Sequence, residues 1–181
     1  GFLASNRTLN LSNRQSQYAY GFNPEKARNY GVNLKQDFTI DYRGGSFVVD
    51  YFYTTFENQA VIDFDTDVRE LNVFGLTGKS FAHSFQAQLD YQLARRFDLR
   101  LAYRYVDVQT DYKVGRLQRP LIPRERAFMN LAYKTKSNWT FDYTLQRVGS
   151  QRIPQTLENP ADHRLPARSD PYWLMNAQVT K

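Results

Sequence analysis

The sequence contains no cysteine and only two histidines among its 181 residues. Without cysteine, a disulfide framework and a thiolate metal site are both excluded. The two histidines, His83 and His163, lie far apart, and neither belongs to a paired metal-binding motif such as HExxH. No cluster of catalytic residue types is recognisable elsewhere. We therefore expect neither an enzyme nor a bound cofactor.

Long apolar runs are also missing. No stretch approaches the 18 consecutive apolar residues of a transmembrane helix, and the mean hydropathy is -0.65. These values exclude a helical membrane protein. They do not exclude transmembrane strands, because each lipid-facing residue of such a strand is followed by a polar one. Residues 1–10 lack the features of a signal peptide, so we expect that one has been removed or that the sequence is an internal piece.

Aromatic residues are abundant, with 13 tyrosines and 13 phenylalanines, and they follow a period of two. The clearest stretch is Phe97 to Tyr112. One face of this extended segment carries Phe97, Leu99, Leu101, Tyr103 and Tyr105, and the other carries Asp98, Arg100, Ala102 and Arg104. Eight rises of about 3.3 Å at a tilt near 40° give a height of roughly 20 Å, close to the apolar band of an outer-membrane barrel. The pattern indicates a wall between lipid and water.

The same alternation predicts further strands on both sides of this stretch. They cover residues 30–38, 47–62, 68–93, 127–133, 139–145 and 172–181, with a strand end within 1–10, and glycines Gly75 and Gly78 mark a bulge. Short turns are expected at 42–45, 94–96 and 136–138, and longer connections at 63–67, 113–125 and 153–171. Short and long connections alternate, as in outer-membrane barrels. The predicted fold is all-β, an antiparallel up-and-down transmembrane β-barrel segment of about eight strands. The alternative is a soluble, aromatic-rich sandwich.

Several phrases of the sequence resemble a known family. The runs PEKARNYGVNL, VVDYFYTTFENQAVIDFD, LRLAYRYVDVQTDY, RPLIPRERAFMNLAYKT and YWLMNAQVTK are similar to consecutive strands in the C-terminal half of a TonB-dependent outer-membrane receptor, most like those of the Bacteroidetes. The resemblance implies that residues 1–181 are one partial barrel domain of a larger, 22-stranded barrel, without the plug, the TonB box and the terminal strands.

The resemblance also implies a function and partners. Such receptors lie in the outer membrane of Gram-negative bacteria and import siderophores, cobalamin, metal chelates or glycans by energised transport. The expected partners are outer-membrane lipid and lipopolysaccharide, the imported ligand, and TonB through a region outside this sequence. The alternative function is that of a small, self-contained eight-stranded outer-membrane barrel with an adhesion or structural role.

The chain has a net charge of +6 and an isoelectric point near 9.5. Nucleic acid is not the expected partner, because the basic residues share a strand face with acidic ones while the aromatic residues lie on the other face. On the strands, Arg100 and Arg104 are expected to pair with carboxylates of neighbouring strands. The excess charge lies in or beside the long loops, where Arg126 accompanies six predicted ligand-binding residues: Arg116, Arg119, Arg124, Arg152, Arg164 and Arg168. Arginine suits carboxylate and phosphate groups. The alternatives are contact with lipopolysaccharide phosphates and simple solubility.

An acidic triplet, Asp63, Asp65 and Asp67, has the spacing of the first ligands of a calcium loop. The glycine and the distal glutamate of such a loop are absent at the expected offsets. A calcium site and a solvated external loop therefore both stay open as interpretations.

Overall fold

The computed structural model of the chain describes residues 8–11, 24–65 and 70–181. Within these ranges the chain has eleven strands and one short 3-10 helix, Ala161–His163, and no helix is long and apolar enough to cross a membrane. The strands are β1 (Thr8–Leu11), β2 (Lys26–Ile40), β3 (Arg43–Asn58), β4 (Ala60–Asp63), β5 (Glu70–Gly75), β6 (Ser80–Ala94), β7 (Phe97–Tyr112), β8 (Gly115–Gln118), β9 (Glu125–Lys134), β10 (Thr140–Val148) and β11 (Tyr172–Thr180). The all-β prediction is confirmed.

Eight of these strands form one antiparallel sheet. Its order is β11-β10-β9-β7-β6-β3-β2, and β8 pairs with the far end of β7. If the short strands β4, β5 and β8 are set aside, neighbours in this order also follow one another along the chain. This is the predicted up-and-down arrangement, and the predicted strand from Phe97 to Tyr112 coincides with β7.

The sheet has two chemically different faces, which follow directly from the register. One row of directly opposed residues across six strands consists of Phe47, Leu89, Leu101, Met129, Leu145 and Met175. The adjacent row, on the other face, consists of Ser46, Asp90, Arg100, Asn130, Thr144 and Asn176. We call these the apolar face and the polar face. Leu101 remains 38% exposed on the apolar face, as expected where lipid is the neighbour.

The first hairpin differs from its prediction. The turn is formed by Asp41 and Tyr42, both with positive φ (51° and 60°), which is the signature of a type I′ turn. The turn predicted at 42–45 is therefore wrong, and Gly44 and Gly45 belong to β3. Gly45 is needed for packing, because the Phe38 ring occupies the place that a Cβ atom would take. The turns predicted at 94–96 and 136–138 are confirmed, with Arg96 and Asn138 at positive φ.

Two predicted long strands are each broken in two. The strand predicted at 47–62 divides into β3 and β4, and the one at 68–93 divides into β5 and β6. Strands β4, β5 and β1 form a second, three-stranded sheet in which β1 and β5 are parallel. The bulge predicted at Gly75 and Gly78 is instead the break between β5 and β6. There the Asp111 carboxylate packs against Gly78 and accepts a hydrogen bond from the Lys79 backbone N–H at 2.7 Å.

The connection predicted at 113–125 also contains unexpected structure, because β8 folds back onto β7 within it. The buried apolar core lies at this end of the molecule. Val61, Phe74 and Tyr112 form it, and Leu76 and Leu117 pack against it. The fold therefore places its packed core beside the long connections and leaves the strands between the short turns as a single-layered wall.

Candidate functional site

The functional candidates of the sequence that the structure describes lie at the end of the sheet that carries the long connections. We call this region the loop-end cluster; it comprises β4, β5, β8 and residues 119–124 and 149–171. By alternation Thr110 and Tyr112 belong to the polar face of β7, and Tyr112 packs against Val61 of β4 and Phe74 of β5. The small sheet therefore covers the polar face of β7, the face on which a barrel has its lumen.

A buried ion pair fixes the cluster. Arg152 donates two hydrogen bonds to the two carboxylate oxygens of Asp65, at 2.8 and 2.9 Å, and the Gln155 backbone N–H donates a third at 2.9 Å. The Asp65 side chain is 0% exposed and the Arg152 side chain 12%. The guanidinium carbon also lies 5.8 Å from the centroid of the Tyr112 ring. Sequence reasoning assigned Asp65 and Arg152 to different sites, yet the structure pairs them and so ties two long connections together.

Two members of the acidic triplet, Asp63 and Asp65, make hydrogen bonds that stabilise the fold. Asp63 is buried and accepts a hydrogen bond from the Asp65 backbone N–H at 2.7 Å. Asp67 lies outside the described residues. Within the described ranges no three metal-binding side chains come together. The calcium site at Asp63, Asp65 and Asp67 stays a prediction, and in this arrangement both Asp65 oxygens already bind Arg152.

Two further predicted ligand-binding arginines support the connection at 149–171. Arg168 donates to the side-chain and backbone oxygens of Ser150, at 3.1 and 3.2 Å, and to the side-chain oxygen of Gln118 at 3.2 Å. Arg164 donates to the backbone oxygen of Asn159 at 3.0 Å. Both side chains therefore hold the loop in shape.

Arg116 and Arg124 each pair with an aspartate of β7. Arg116 belongs to β8 rather than to a loop, and it binds Asp111 at 2.8 Å with its guanidinium 5.6 Å from the Phe81 ring centroid. Arg124 binds Asp107 at 3.0 Å. Both aspartates share the side of β7 that carries Tyr105, which is the apolar face. Arg116 therefore lies on the apolar-face side, away from Arg152 and Arg168. Arg124 pairs with Asp107 but also borders a cavity that Arg104 and Arg126 line.

Two titratable groups of β7, Asp111 and Tyr112, lie above its membrane-crossing part, residues 97–105, and have shifted pKa values. The hydrogen bond from Arg116 lowers the pKa of the Asp111 carboxyl below its ordinary value. Burial raises the pKa of the Tyr112 hydroxyl. The lowered pKa of Asp111 is that of a carboxylate paired at the surface, and the raised pKa of Tyr112 is that of a hydroxyl in a packed core.

Arg119 differs from the other predicted ligand-binding arginines, which all have side-chain partners among the described residues. It is exposed, and its side chain makes no hydrogen bond or ion pair in the part of the chain that the structure describes. It borders a cavity of about 200 Å³ lined also by Ile62, Phe64, Tyr112 and Leu121. Because the Arg119 N–H donates to the Val108 carbonyl at 2.8 Å, the residue is held at this position.

Cross-strand ion pairs on the polar face were predicted for Arg100 and Arg104. The first prediction is confirmed, since Arg100 Nε lies 2.5 Å from Asp90 Oδ1. The second is wrong: Arg104 has no ion pair in the described ranges and lies directly opposite another arginine, Arg126. Sequence alone gives no register, so this juxtaposition of two cations was not predictable from the period-two pattern.

The comparisons with known proteins agree with this architecture. Residues 3–181 match the family model described as TonB dependent receptor-like, beta-barrel. Curated protein sequences give no match. A chain in the structure of the FpvAI–pyocin S2 complex is similar over 87% of this chain and 21% of its own length, with a TM-score of 0.63 and 18% identity.

A second solved structure is the closed form of the ferric-catecholate import receptor Fiu from E. coli K12. It is similar over 93% of this chain and 23% of its own length, with a TM-score of 0.61 and 16% identity. The chain thus spans about a quarter or less of the length of these proteins, and at such identities the likeness shows the fold. With the family model covering nearly the whole sequence, the chain belongs to the TonB-dependent receptor β-barrel family of the bacterial outer membrane.

Proposed function

We propose that this chain is part of a receptor that binds a large, scarce ligand outside the cell and imports it by energised transport. The observation that carries the proposal is the loop-end cluster. A two-faced wall alone suits any outer-membrane barrel, whereas here a buried ion pair holds two long connections over the polar face. Such an arrangement presents fixed groups at the mouth of the lumen, as ligand capture requires.

The ligand class that this end favours is an anion. Arg119 offers an uncommitted charge beside a small apolar cavity, and Arg164 and Arg168 lie in the loop that the Asp65–Arg152 pair holds. A ferric siderophore with catecholate or carboxylate groups fits this chemistry. Fiu, which is similar to this chain in fold, is a ferric-catecholate import receptor, and this supports the same class.

Arg116 has a different role in this proposal. It lies on the apolar-face side, above the membrane-crossing part of β7, beside the aromatic residue Phe81. Phosphate groups of lipopolysaccharide occupy this level of an outer membrane, and arginine binds them well. We assign Arg116 to the membrane surface and Arg119, Arg164 and Arg168 to the ligand.

The test measures which arginines contribute to ligand binding in the full-length receptor. A ferric catecholate and cobalamin serve as probes, with affinity measured at low and moderate salt for Arg119→Gln, Arg164→Gln and Arg116→Gln. Each charge-assisted hydrogen bond that the ligand loses weakens binding by about 1.5–3 kcal/mol. We expect the first two variants to lose ferric catecholate affinity and Arg116→Gln to keep it.

Uptake by cells that lack the wild-type receptor completes the test. Growth on the ferric catecholate as sole iron source should require the receptor and energised TonB. A cell that takes up no probe through the intact receptor contradicts the proposal and favours the self-contained barrel with an adhesion or structural role. Equal ferric catecholate affinities in all three variants contradict the anion assignment only.

A further inference from the structure

The polar face contains two adjacent arginines that take part in none of the ion pairs of the described sheet. Arg104 of β7 and Arg126 of β9 are direct cross-strand partners, and both side chains are exposed. Directly opposed residues on one face of an antiparallel pair have Cβ atoms about 5 Å apart, and like charges at that distance destabilise the sheet. Such a pair therefore calls for a compensating negative charge.

The described part of the chain supplies no such charge. In the same row Gln86 lies beyond Arg104 and Val148 lies beyond Arg126. The next carboxylate along the row is Asp50, two strands from Arg104, where it accepts a hydrogen bond from the Asn33 side chain at 2.5 Å. Neither arginine makes an ion pair or hydrogen bond with its side chain within the described ranges.

The carboxylates nearest in sequence lie on the opposite face. Glu125 precedes Arg126 and pairs with Arg147 at 3.6 Å, and Asp107 pairs with Arg124 at 3.0 Å. By strand alternation both carboxylates belong to the apolar face. The wall itself therefore separates these acids from Arg104 and Arg126.

The pair also borders a cavity. A volume of about 340 Å³ lies beside it, lined by the two arginines, by Val106, Val108, Ile122 and Pro123, and by Arg124, whose charge is paired with Asp107. The backbone there is fixed, because the Val106 N–H donates to the Arg124 carbonyl at 2.7 Å and the Gly149 N–H donates to the Glu125 carbonyl at 2.8 Å. The cavity is larger than one carboxylate needs, and its apolar lining suits a hydrocarbon group.

We propose that Arg104 and Arg126 form an anion-binding site on the lumen face, which takes a carboxylate or phosphate group attached to an apolar body. Two guanidinium groups side by side supply paired N–H donors, which match the oxygens of such a group. The site lies on the polar face just below the loop-end cluster. It deepens the proposed function, on which its physiological role rests, by giving the ligand a second contact point inside the barrel.

The test is a direct binding measurement on the purified full-length receptor, separate from transport. Phenyl phosphate is the probe, inorganic phosphate and benzyl alcohol are its comparisons, and calorimetry at low salt gives the affinities. Arg104→Gln, Arg126→Gln and the double variant are compared with Lys134→Gln. Lys134 is an exposed cation on the same face of β9, eight residues from Arg126, and has no ion pair among the described residues.

We expect each single variant to lose about tenfold to a hundredfold in phenyl phosphate affinity and Lys134→Gln to lose none. Phenyl phosphate should bind more tightly than inorganic phosphate, and benzyl alcohol should not discriminate between the variants. Unchanged phenyl phosphate affinity in the double variant overturns the proposal. Failure of transport with retained anion binding refutes only the proposed import.

Thermal unfolding without any probe gives an independent result. Removing one of two opposed charges should leave the melting temperature unchanged or raise it, because the repulsion disappears. If Arg126→Gln instead melts clearly below both the wild-type protein and Lys134→Gln, the arginines pair with a carboxylate elsewhere in the receptor. That outcome overturns the assignment to an imported anion.

Discussion

The wall and the loop-end cluster of this protein are stabilised in different ways. In the wall, every residue of the membrane-crossing part of β7 has its environment set by a period of two, with Leu101 toward lipid and Arg100 toward Asp90. In the cluster, the decisive contact joins Asp65 to Arg152, 87 positions apart in sequence. The wall tolerates polar changes on one face only, whereas the cluster depends on a few buried polar contacts.

The largest effect is expected from breaking the cluster's ion pair. Asp65→Ala leaves the Arg152 charge buried without its partner and should destabilise the cluster by about 3–5 kcal/mol. Hydrogen exchange should show faster exchange at 149–171 while the amides of β6 and β7 between residues 85 and 105 stay protected.

The double variant Asp65→Leu with Arg152→Met is the control for that prediction. It replaces both charges by apolar groups and should recover most of the protection. Equal loss of protection in the single and the double variant would contradict the role given to the ion pair.

The second effect tests the wall. Leu101→Arg places a charge on the apolar face near the midplane and should destabilise the barrel by about 2–4 kcal/mol. Arg100→Gln, one residue away on the polar face, removes an exposed pair with Asp90 and should cost at most about 1 kcal/mol. Unfolding of both variants in the same lipid or detergent gives the comparison, and similar losses would mean that the two faces do not differ as described.

The third effect concerns packing within the wall. Gly45→Ala adds a Cβ atom where the Phe38 ring lies, 3.0 Å from the Asp90 carbonyl, and should cost about 1–3 kcal/mol. At Gly44 the same substitution meets no atom within 4 Å in the described structure. Thermal unfolding of the two neighbouring variants should therefore separate them, and a Gly44→Ala protein as unstable as Gly45→Ala would contradict the packing role of Phe38.

The smallest effect is a pH dependence at the outer surface. The pKa of Asp111 is lowered chiefly by its hydrogen bond with Arg116, so the pair's contribution to stability is present above the ordinary carboxyl pKa. The contribution is lost as the pH falls through the lowered pKa. Arg116→Gln should therefore lower stability slightly at neutral pH, have no effect below the lowered pKa, and so remove this part of the acid dependence. An unchanged acid profile would speak against the pairing.

The two regions also differ in how far the sequence alone predicts them. Alternation gave the bounds of β7, the polar and apolar faces, and most of the hairpins, because those features depend on neighbours two residues apart. The turn at Asp41 and Tyr42 escaped prediction, since two adjacent glycines indicate a turn more strongly than an Asp-Tyr dipeptide does. Gly45 is required because the Phe38 ring, across the hairpin, occupies the space that a Cβ atom would take.

The candidate site was predicted only in part. The loop arginines were recognisable as an excess of positive charge. Which of them form ion pairs within the protein depends on tertiary contacts. Arg152 is buried against Asp65, Arg116 is paired on the outer side, and Arg119 keeps an accessible charge. The opposition of Arg104 and Arg126 depends on register across two strands, which composition and spacing do not encode.

The central claim, a wall with lipid on one side and water on the other, is tested most directly by single cysteines along β7. The chain has no cysteine of its own, so each introduced thiol reports alone on this part of the receptor. Spin labels at positions 98 to 104 in the full-length receptor in lipid bilayers give their accessibility to oxygen and to a water-soluble nickel chelate. We predict oxygen contact at 99, 101 and 103 and chelate contact at 98, 100, 102 and 104. Accessibility that varies smoothly along the strand, without a period of two, would contradict the two-faced wall.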